Sequence, residues 1–597
     1  MCGYIGSVSF NTIDYEKLSK CNSALICRGP DSKKFIQGVD NNINYAFIFN
    51  RLSILDLSEK ADQPMLTETG NQILMFNGEI YNNRDLRENL LQKGAKFMTS
   101  HSDTEVILNG LYIEGIDYLK KLRGQFSIFY LDKVEKIIYL ARDRLGQKPL
   151  YYRNTETSFE FSSNLKSLLN FNSNFEIDSL QMLNYLNLGI VPSPNTLFKG
   201  FKKLLPGSYI KIKYSGKKFE EISKTYWKTD DYLNTKKFQS DEFFSILYDA
   251  VNLRMIADVK VANFLSGGID STSIVKILHD KGEEINTFSV DVENKKYDES
   301  KWSKLVSEKY STNHSFIKIS SSIEMEDIED SLSSLDEPYS DPSVIPSFLL
   351  SKHISKQYKV AISGDGGDEL LGGYKRTALS LHENTKFKNT LSKLYSIYPS
   401  FLGSGNYFLS KSNSFANVYR SFLEDKKLLK LFGINSSVYQ FPINETLEID
   451  KYKSLIEADY NFYLPEMMMF KIDRTSMANS LEVRSPFVDH KLVEYVLSHE
   501  TSYYDKLHTK KILKEFLLED FNREFIDREK KGFVFDLENW IYENFKFVKT
   551  NLLEGVLNNY FNINNLKYLK VNKSRINAHR MWKLYVLERY LHNVKSL

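Results

Sequence analysis

Residues 261–271 read VANFLSGGIDS, an apolar run, a glycine-containing loop and the first residues of a helical pattern. The run Val261–Leu265 predicts a buried strand, and the helical pattern extends from Thr272 to Asp280. A glycine loop between a strand and a helix exposes backbone N–H groups at the positive end of the helix dipole, so it favours phosphate. A generic tight turn is the alternative. The sequence lacks G-x-x-x-x-G-K-[ST], so it does not predict γ-phosphoryl transfer.

From Gln239 onward, helical segments alternate with short apolar runs. The runs are Val259–Leu265, Glu284–Val290, His314–Ile319 and Lys359–Ser363. This alternation predicts an α/β domain whose parallel sheet has helices on both faces. Beyond residue 375 the pattern predicts a mostly helical C-terminal part.

The first 200 residues predict a different, α+β architecture. Ile73–Phe76, Gln125–Leu131 and Lys136–Ala141 are apolar runs bounded by turn residues, which is typical of strands. Helical patterns cover Asn82–Lys93 and Ser102–Tyr112, and a Ser-Asp-Thr-Glu cap starts the second.

A stretch rich in proline and lysine separates the two architectures. At 597 residues, the chain is expected to form two or three domains. We place the boundary near residue 215, after Pro192, Pro194, Pro206 and Gly207, which gives domains 2–215 and 226–597.

The bulk composition is that of a globular soluble protein, and we expect it in the cytoplasm. The 79 basic and 76 acidic residues nearly balance, so there is no argument for a nucleic-acid partner. We see no basic segment followed by an apolar stretch at the start and no apolar run long enough for a membrane span. The three cysteines, Cys2, Cys21 and Cys27, are too few for a disulfide framework, which fits a reducing compartment.

The position of Cys2 predicts a nucleophile. Removal of the initiator Met would leave Cys2 with a thiol and a free α-amine on one carbon. The amine has an unperturbed pKa of about 7.7–8.0, so one residue could supply both nucleophile and general base, as in N-terminal-nucleophile hydrolases. A chance cysteine is the alternative.

A second glycine-rich loop, residues 363–369, follows the apolar run that ends at Ile362. It reads SGDGGDE and places three carboxylates, Asp365, Asp368 and Glu369, within five positions. Like charges so close are costly unless a metal or a reacting amine uses them. A solvated acidic turn is the alternative.

Together these features resemble the glutamine-hydrolysing asparagine synthetase family over nearly the whole chain. The N-terminal motifs are Cys2-Gly3, Arg28-Gly29-Pro30-Asp31, Arg51-Leu52-Ser53-Ile54, Asn77-Gly78-Glu79-Ile80-Tyr81-Asn82, Ser102-Asp103-Thr104-Glu105, Arg142-Asp143-Arg144-Leu145-Gly146 and Pro149-Leu150-Tyr151. The C-terminal motifs are the loop at 266–271, the stretches 473–478 and 482–487, and Arg528-Glu529-Lys530-Lys531-Gly532-Phe533. The resemblance implies a class II amidotransferase domain with an N-terminal-nucleophile hydrolase sandwich, followed by a PP-loop ATP pyrophosphatase domain.

The resemblance also implies roles for individual residues in the glutaminase domain. Cys2 would attack the glutamine amide, and Asn77 with Gly78 would form the oxyanion hole. Arg51 would bind the glutamine α-carboxylate. Glu79 and Asp103 would bind its α-ammonium group.

In the synthetase domain the resemblance implies ATP and Mg²⁺ as cofactors. ATP would contact Leu265, Ser266, Gly267, Gly268, Asp270, Ser271, Val290, Ser363 and Gly364. Asp270 would hold Mg²⁺ through pyrophosphate, and Asp368 is a second candidate ligand. Asp365 would accept a proton from attacking ammonia, and Lys530, with Lys531 as the alternative, would stabilise charge on the reacting phosphate.

Two departures from the family pattern bear on the acceptor. The loop has Asp365 where the best-known members have Glu, and residues 336–343 read DEPYSDPS, without the arginine expected there. Arginine is a natural clamp for a carboxylate. The missing arginine therefore counts against aspartate. From the resemblance we expect aspartate as the acceptor, with a sugar uronic acid of surface-polysaccharide synthesis as the alternative. A catalytically silent sensor and a β-lactam-forming synthetase are weaker alternatives, and the family resemblance allows a homodimer.

Overall fold

The computed structural model describes most of the chain. The described ranges are 2–40, 42–215, 218–292, 299–319, 323–381, 414–434, 438–445, 450–503, 509–528, 535–562 and 573–595, with isolated positions between 390 and 409 and at 569.

The N-terminal part contains twelve strands and five helices in the described ranges. The strands are β1 (Cys2–Ser9), β2 (Ser32–Asp40), β3 (Ile43–Arg51), β4 (Met65–Leu66), β5 (Gln72–Ile80), β6 (Gly124–Asp132), β7 (Ile137–Arg142), β8 (Tyr151–Asn154), β9 (Ser158–Ser162), β10 (Lys202–Lys203), β11 (Ser208–Ser215) and β12 (Lys218–Thr225). The helices are α1 (Tyr15–Cys21), α2 (Asn83–Gln92), α3 (Asp103–Glu114), α4 (Leu165–Phe171) and α5 (Ser179–Leu188).

These strands form two antiparallel six-stranded sheets. Their strand orders are β10-β8-β9-β1-β3-β2 and β12-β11-β7-β6-β5-β4. Inward-facing aromatic residues from both sheets form one core, in which the rings of Phe129 and Phe161 stack with centroids 4.0 Å apart. The predicted α+β sandwich is therefore confirmed.

The C-terminal part begins after β12. Its strands are β13 (Val261–Phe264), β14 (Asn286–Val292), β15 (Asn313–Ile319), β16 (Val360–Ile362) and β17 (Glu482–Arg484). Its helices are α6 (Ser240–Arg254), α7 (Ile269–Asp280), α8 (Ser300–Lys309), α9 (Met325–Ser333), α10 (Val344–Ile354), α11 (Gly367–Leu371), α12 (Lys375–Ser380), α13 (Phe415–Arg420), α14 (Lys426–Leu431), α15 (Lys451–Ala458), α16 (Phe470–Met477), α17 (His490–Ser498), α18 (Lys511–Leu517), α19 (Arg523–Ile526), α20 (Leu537–Glu543), α21 (Phe545–Glu554) and α22 (Arg575–Lys595). A π-helix, Asp459–Met469, joins α15 to α16.

All five strands of this part lie in one parallel sheet with the order β15-β14-β13-β16-β17. The chain leaves β13 toward β14 on one side and later returns to β16 on the other. Such a change of direction opens a crevice at the carboxyl ends of the strands, where α/β proteins bind ligands. Both predicted glycine loops begin at this edge, since β13 and β16 are paired neighbours.

The sequence patterns gave the element types correctly but not every boundary. Helix α7 begins at Ile269, three positions before the predicted start. Ser102 occupies the N-cap position of α3, but the predicted side-chain cap is wrong: Ser102 makes no capping hydrogen bond. Glu105 turns back instead and accepts the N–H groups of Met98 and Thr99. Strand β12 pairs with β11, so the sheet continues to Thr225.

Buried ion pairs join the two parts. Arg28 donates to both carboxylate oxygens of Asp473 at 2.8 and 3.1 Å, and Lys148 lies 3.8 Å from the same group. Burial opposes ionisation of Asp473, but the Arg28 and Lys148 cations outweigh it and lower its pKa to about 2. Within the described residues, no helix is long and apolar enough to cross a membrane.

Replacing Asp473 by Asn should destabilise the protein, because it leaves the buried Arg28 and Lys148 without a counter-charge. We expect the free energy of unfolding to fall by about 3 kcal/mol in urea denaturation. The wild-type contribution should be complete above about pH 4, where an unfolded Asp is ionised, and should disappear as the pH falls through 2.

The matched control is Glu176→Gln, which removes the exposed ion pair with Lys199 and should cause no measurable change. Equal stability of Asp473→Asn and this control would contradict the prediction.

Candidate active sites

The first site surrounds Cys2, the first residue of β1. Cys2 is buried, and its backbone N–H donates to Asn77 Oδ1 at 3.0 Å. Burial raises the pKa of its thiol, although nearby positive charge, including Arg51, acts in the opposite direction. The Arg28 Nε–H donates to the Cys2 carbonyl at 3.3 Å, so the residue that holds Asp473 also holds the backbone of β1.

Asn77 and Gly78 lie side by side in β5, across from Cys2. The Asn77 Nδ2 group donates to Ser127 Oγ at 3.4 Å while its Oδ1 faces Cys2. A Cβ atom on Gly78 would lie 2.0 Å from the Gln125 carbonyl oxygen on the paired strand β6. The backbone at Gly78 lies so close to β6 that only glycine fits at this position.

Arg51 is the last residue of β3 and pairs in register with Cys2. Its NH1 group donates to the Ser58 carbonyl and to Asp62 at 2.9 and 2.8 Å, and its NH2 group donates to the carbonyls of Leu55 and Asp56. The guanidinium group is therefore buried and organises the loop that follows β3.

Two carboxylates approach the Cys2 region from β5 and α3. Asp103 accepts the Ile80 N–H at 3.0 Å, and burial raises the pKa of its carboxyl group to about 6. Glu79 is also buried, and desolvation together with the Asp103 charge raises the pKa of Glu79 well above its usual range. In the described chain, Glu79 Oε1 has no hydrogen-bond partner. An unpartnered buried acceptor beside a second carboxylate suits a cationic ligand group.

Arg484 and Glu482 lie near Glu79 from the C-terminal part, and the sequence patterns predict no role for either. Arg484 NH2 lies 3.2 Å from Glu79 Oε2, and Arg484 Nε donates to Glu482 at 2.6 Å. Burial works against ionisation of Glu482, but Arg484 lowers the pKa of Glu482 to about 2. Both residues lie in a stretch of the family resemblance, which was the only signal available.

The second site begins with the loop between β13 and α7. The Leu265 N–H donates to the Phe288 carbonyl at 2.8 Å, which fixes the start of the loop. Ser266 Oγ accepts the Gly268 N–H at 3.2 Å and lies 3.2 Å from Ser271 Oγ. Gly267 has φ +72°, a left-handed conformation that favours glycine. The predicted phosphate loop therefore folds as a strand, a glycine turn and a helix N-terminus.

The second glycine loop faces the first. Cβ atoms on Gly364 and Gly367 would lie 3.0 Å and 2.6 Å from side-chain atoms of Asp270, so the two loops are in close contact. The Ser363 N–H donates to the Arg484 carbonyl at 2.9 Å, and Ser485 Oγ donates to the Asp365 carbonyl.

Lys510 joins the two glycine loops, although the sequence patterns do not predict it as a site residue. Its Nζ lies 2.5 Å from Asp368 Oδ1 and also donates to Asp270. Lys510 has φ +59°, just before α18. Nothing in the local sequence distinguishes it from its neighbour Lys511.

The last predicted ATP residue, Val290, lies beside these loops, as does Arg528. Val290 is half-buried in β14, beside β13. Arg528 donates to the Gly267 carbonyl and lies over the Trp302 ring. The predicted catalytic lysine Lys530, and its alternative Lys531, lie outside the described residues.

The carboxylates of Asp270 and Asp368 fit a Mg²⁺ ion that is bound mainly by phosphate. Mg²⁺ commonly takes one or two protein carboxylates and completes its shell with phosphate oxygens and water. Asp270 and Asp368 both reach the position of Lys510 Nζ, so they converge on one point. Among the described residues, no group of three or more His, Cys, Asp or Glu could hold a metal.

A narrow cavity lies between the two sites. It is lined by Gln125, Gln147 and Lys148 from the N-terminal part and by Ser363, Met469, Ile472, Asp473, Val483 and Ser485 from the C-terminal part. Gln125 is the register partner of Glu79, and Ser363 begins the second glycine loop. The cavity is therefore lined by one residue from a strand of the first site and one from a loop of the second.

Two family models match the two parts of the chain. Residues 242–588 match the family described as asparagine synthase, and residues 1–227 match the glutamine amidotransferase domain. The chain belongs to the asparagine synthase family. It is a carbon–nitrogen ligase that uses ATP and takes its nitrogen from glutamine.

Several curated relatives of this asparagine synthase family member align with much of the chain. Asparagine synthetase [glutamine-hydrolyzing] 1 of Bacillus subtilis is 32% identical and covers 91% of this chain and 88% of its own length. Putative asparagine synthetase [glutamine-hydrolyzing] 2 of Methanocaldococcus jannaschii is 34% identical and covers 63% of this chain and 76% of its own. A protein named amidase chyE of Penicillium rubens is 25% identical, with 83% and 81% covered.

Proposed function

We propose that the protein hydrolyses glutamine at Cys2 and passes the ammonia through its interior to the second site. There, ATP activates a carboxylate and ammonia converts it to an amide. The cavity lined by Gln125 and Ser363 is the observation that supports this proposal, because it lies inside the protein between residues that adjoin the two sites.

In the glutaminase step, the Cys2 thiolate attacks the side-chain amide carbon of glutamine. Once Met1 is removed, the α-amine of Cys2 takes the thiol proton and then gives it to the departing ammonia. The Asn77 amide and the Gly78 N–H stabilise the oxyanion, which is worth about 3–4 kcal/mol for one donor in other enzymes. Water then hydrolyses the thioester to glutamate.

The glutamine clamp is formed by three buried charges. Arg51 binds the α-carboxylate, and Glu79 with Asp103 binds the α-ammonium group. The unpartnered Oε1 of Glu79 and the raised pKa values of both carboxyl groups support this assignment, since a bound ammonium group would favour their ionised forms.

In the synthetase step, the acceptor carboxylate attacks the α-phosphorus of ATP, which gives an acyl-adenylate and pyrophosphate. Ser266, Gly268 and Ser271 hold the pyrophosphate at the N-terminus of α7, and Lys510 supplies a positive charge beside it. Asp270 and Asp368 would hold Mg²⁺, which neutralises phosphate charge when bound. Ammonia then attacks the acyl carbon, Asp365 takes its proton, and AMP leaves.

We propose aspartate as the acceptor, with a sugar uronic acid as the alternative. The alternative is favoured by the segment 336–343, which has no arginine. Cations from elsewhere in the chain do reach it: Arg474 Nε donates to Asp336 Oδ1 at 2.8 Å, Lys203 Nζ lies 3.2 Å from Glu337 Oε2, and Lys471 Nζ donates to Ser343 Oγ at 3.1 Å. We also propose the domain bounds 2–215 and 226–597 and a homodimer. Strand β12 pairs with β11 and extends their sheet to Thr225, between the two proposed domains.

Replacing Cys2 by Ala should abolish glutamine-dependent amide synthesis and spare synthesis from ammonium salts. Both can be measured as pyrophosphate release with ATP and the acceptor. Cys27→Ala, at an exposed cysteine, is the control and should keep both activities. Loss of ammonium-dependent synthesis in Cys2→Ala would contradict the two-site proposal.

Glutamine binding should weaken in acid, because Asp103 has a pKa of about 6 and must be ionised to hold an ammonium group. In Cys2→Ala, which cannot hydrolyse the ligand, we expect the Kd for glutamine to rise about tenfold per pH unit below pH 6. Calorimetric titration at several pH values measures this. The added change Asp103→Asn should raise Kd at neutral pH and weaken the dependence, although Glu79, whose pKa is also raised, still titrates; an unchanged dependence would exclude Asp103.

The acceptor can be identified by the pyrophosphate that it releases. With ATP, Mg²⁺ and ammonium present, we expect aspartate to stimulate pyrophosphate release well above the rate without acceptor. Sugar uronic acids, free and nucleotide-linked, are tested in parallel. Release with a uronic acid but not with aspartate would overturn the preferred acceptor and keep the rest of the proposed function.

A further inference from the structure

Asp258 lies between α6 and β13 and contacts the glutaminase domain at three points. Its N–H donates to the Ile54 carbonyl at 2.9 Å. Its Oδ2 atom accepts the Asp56 N–H at 2.7 Å and the His101 Nε2–H at 2.6 Å. One residue of the synthetase domain therefore bonds to two separate loops of the glutaminase domain.

The first of these loops carries Arg51. The Asp56 peptide is held from both sides, since Asp258 bonds to its N–H and Arg51 bonds to its carbonyl. Asp56 also has φ +51°, a left-handed conformation uncommon for residues other than glycine. The conformation that places Asp56 against Arg51 thus depends on a contact from the other domain.

The second loop carries Asp103. His101 is two positions before Asp103, and its ring nitrogens bond to Asp258 on one side and Ser100 Oγ on the other, both at 2.6 Å. The side chain of Asp56 accepts from Ser100 Oγ at 3.2 Å and from the His101 N–H at 3.4 Å. Asp56 and Asp258 together therefore fix the approach to Asp103.

Arg484 connects the segment that carries Asp258 to Glu79, the third residue proposed to bind glutamine. The same segment continues into the phosphate loop. Arg484 NH1 donates to the carbonyls of Arg254 and Ile256 at 2.8 and 2.6 Å, and its NH2 lies 3.2 Å from Glu79. Beyond Asp258 the chain enters β13, which ends at the loop containing Ser266.

We propose that Asp258 is a positioning residue through which the synthetase domain sets the spacing of Arg51 and Asp103, and so the affinity for glutamine. This inference rests on the proposed roles of Arg51 and Asp103. Asp258 is not among the residues proposed to bind glutamine or ATP, so its effect would pass through the 54–56 segment and His101.

An ordinary exposed ion pair would not have this effect. The side chains of His101 and Asp258 are 40% and 35% exposed, and a pair of that exposure contributes little to stability. Asp258 differs because two of its three bonds go to backbone groups beside Arg51. The expected effect is therefore on glutamine binding and not on the stability of the fold.

The experiment compares Asp258→Ala, Asp258→Asn and wild type in full-length protein. We expect Asp258→Ala to raise the glutamine KM of the glutaminase reaction about tenfold, with kcat within about twofold and ammonium-dependent synthesis unchanged. Asp258→Asn keeps an acceptor for the Asp56 N–H and should stay within about threefold of wild type. His101→Ala should add little to Asp258→Ala, because the two residues act as one unit.

The matched control is Lys359→Met. It removes the ion pair between Lys359 and Asp31, another partly exposed contact between the domains, at 2.7 Å. Lys359 bonds to neither the 54–56 segment nor His101 in the described chain, and Asp31 keeps its own bonds to the Arg51 carbonyl and the Ser53 N–H, so the glutamine KM of Lys359→Met should be unchanged.

Three results would overturn the inference: an unchanged glutamine KM in Asp258→Ala, an equal rise in Lys359→Met, or a parallel loss of glutamine- and ammonium-dependent synthesis. Wild-type protein is measured first. Absence of glutaminase activity there would overturn the proposed function itself, and the inference with it.

Discussion

The guanidinium group of Arg484 is the contact on which the arrangement of the two sites depends. It is fully buried and reaches Glu79 in one domain, Glu482 in its own strand, and two backbone carbonyls beside α6. Removal of a buried charge from such a group leaves its partners uncompensated, at a cost of several kcal/mol. The same residue fixes the start of the second glycine loop, because its backbone carbonyl accepts the Ser363 N–H. Glutamine-side and ATP-side residues are thus held by one side chain and its backbone.

The parallel sheet supplies the other constraint. Strands β13 and β16 are neighbours, so their loops open at one edge and bring Asp270 close to Gly367 and Asp368. The carboxylates of Asp270 and Asp368 would repel each other so close together, and the positive charge of Lys510 between them offsets this repulsion. A phosphate–Mg²⁺ group suits the same place, since the metal cation would interact with the two carboxylates and the phosphate anion with Lys510.

Sequence patterns predicted what depends on neighbours in the chain. The strand, glycine loop and helix at 261–280 follow from local periodicity and from the conformational freedom of Gly267, so they could be predicted well. Cys2 could be singled out by its position. Lys510 could not, because it meets Asp270 across 240 positions and sits in an ordinary lysine-rich stretch.

The same reasoning explains the wrong helix cap and the missed contacts. Ser102 has the residue type of a helix cap, but Glu105 bonds to the preceding loop instead and leaves Ser102 without a capping role. Asp258 looked like an ordinary loop residue, since its partners Asp56 and His101 belong to the other domain. Family resemblance supplied roles for Arg51, Glu79 and Asp103, whereas only the structure shows how the synthetase domain surrounds them.

Internal transfer of ammonia is the central claim, and isotope competition tests it most directly. Glutamine labelled with nitrogen-15 in its side-chain amide is supplied with ATP, the acceptor and an excess of unlabelled ammonium salt, and the amide product is analysed by mass spectrometry. The account predicts a product that carries mainly nitrogen-15, since ammonia released at Cys2 reaches the second site without entering the solvent. A product whose label matches the mixed ammonia pool would contradict it.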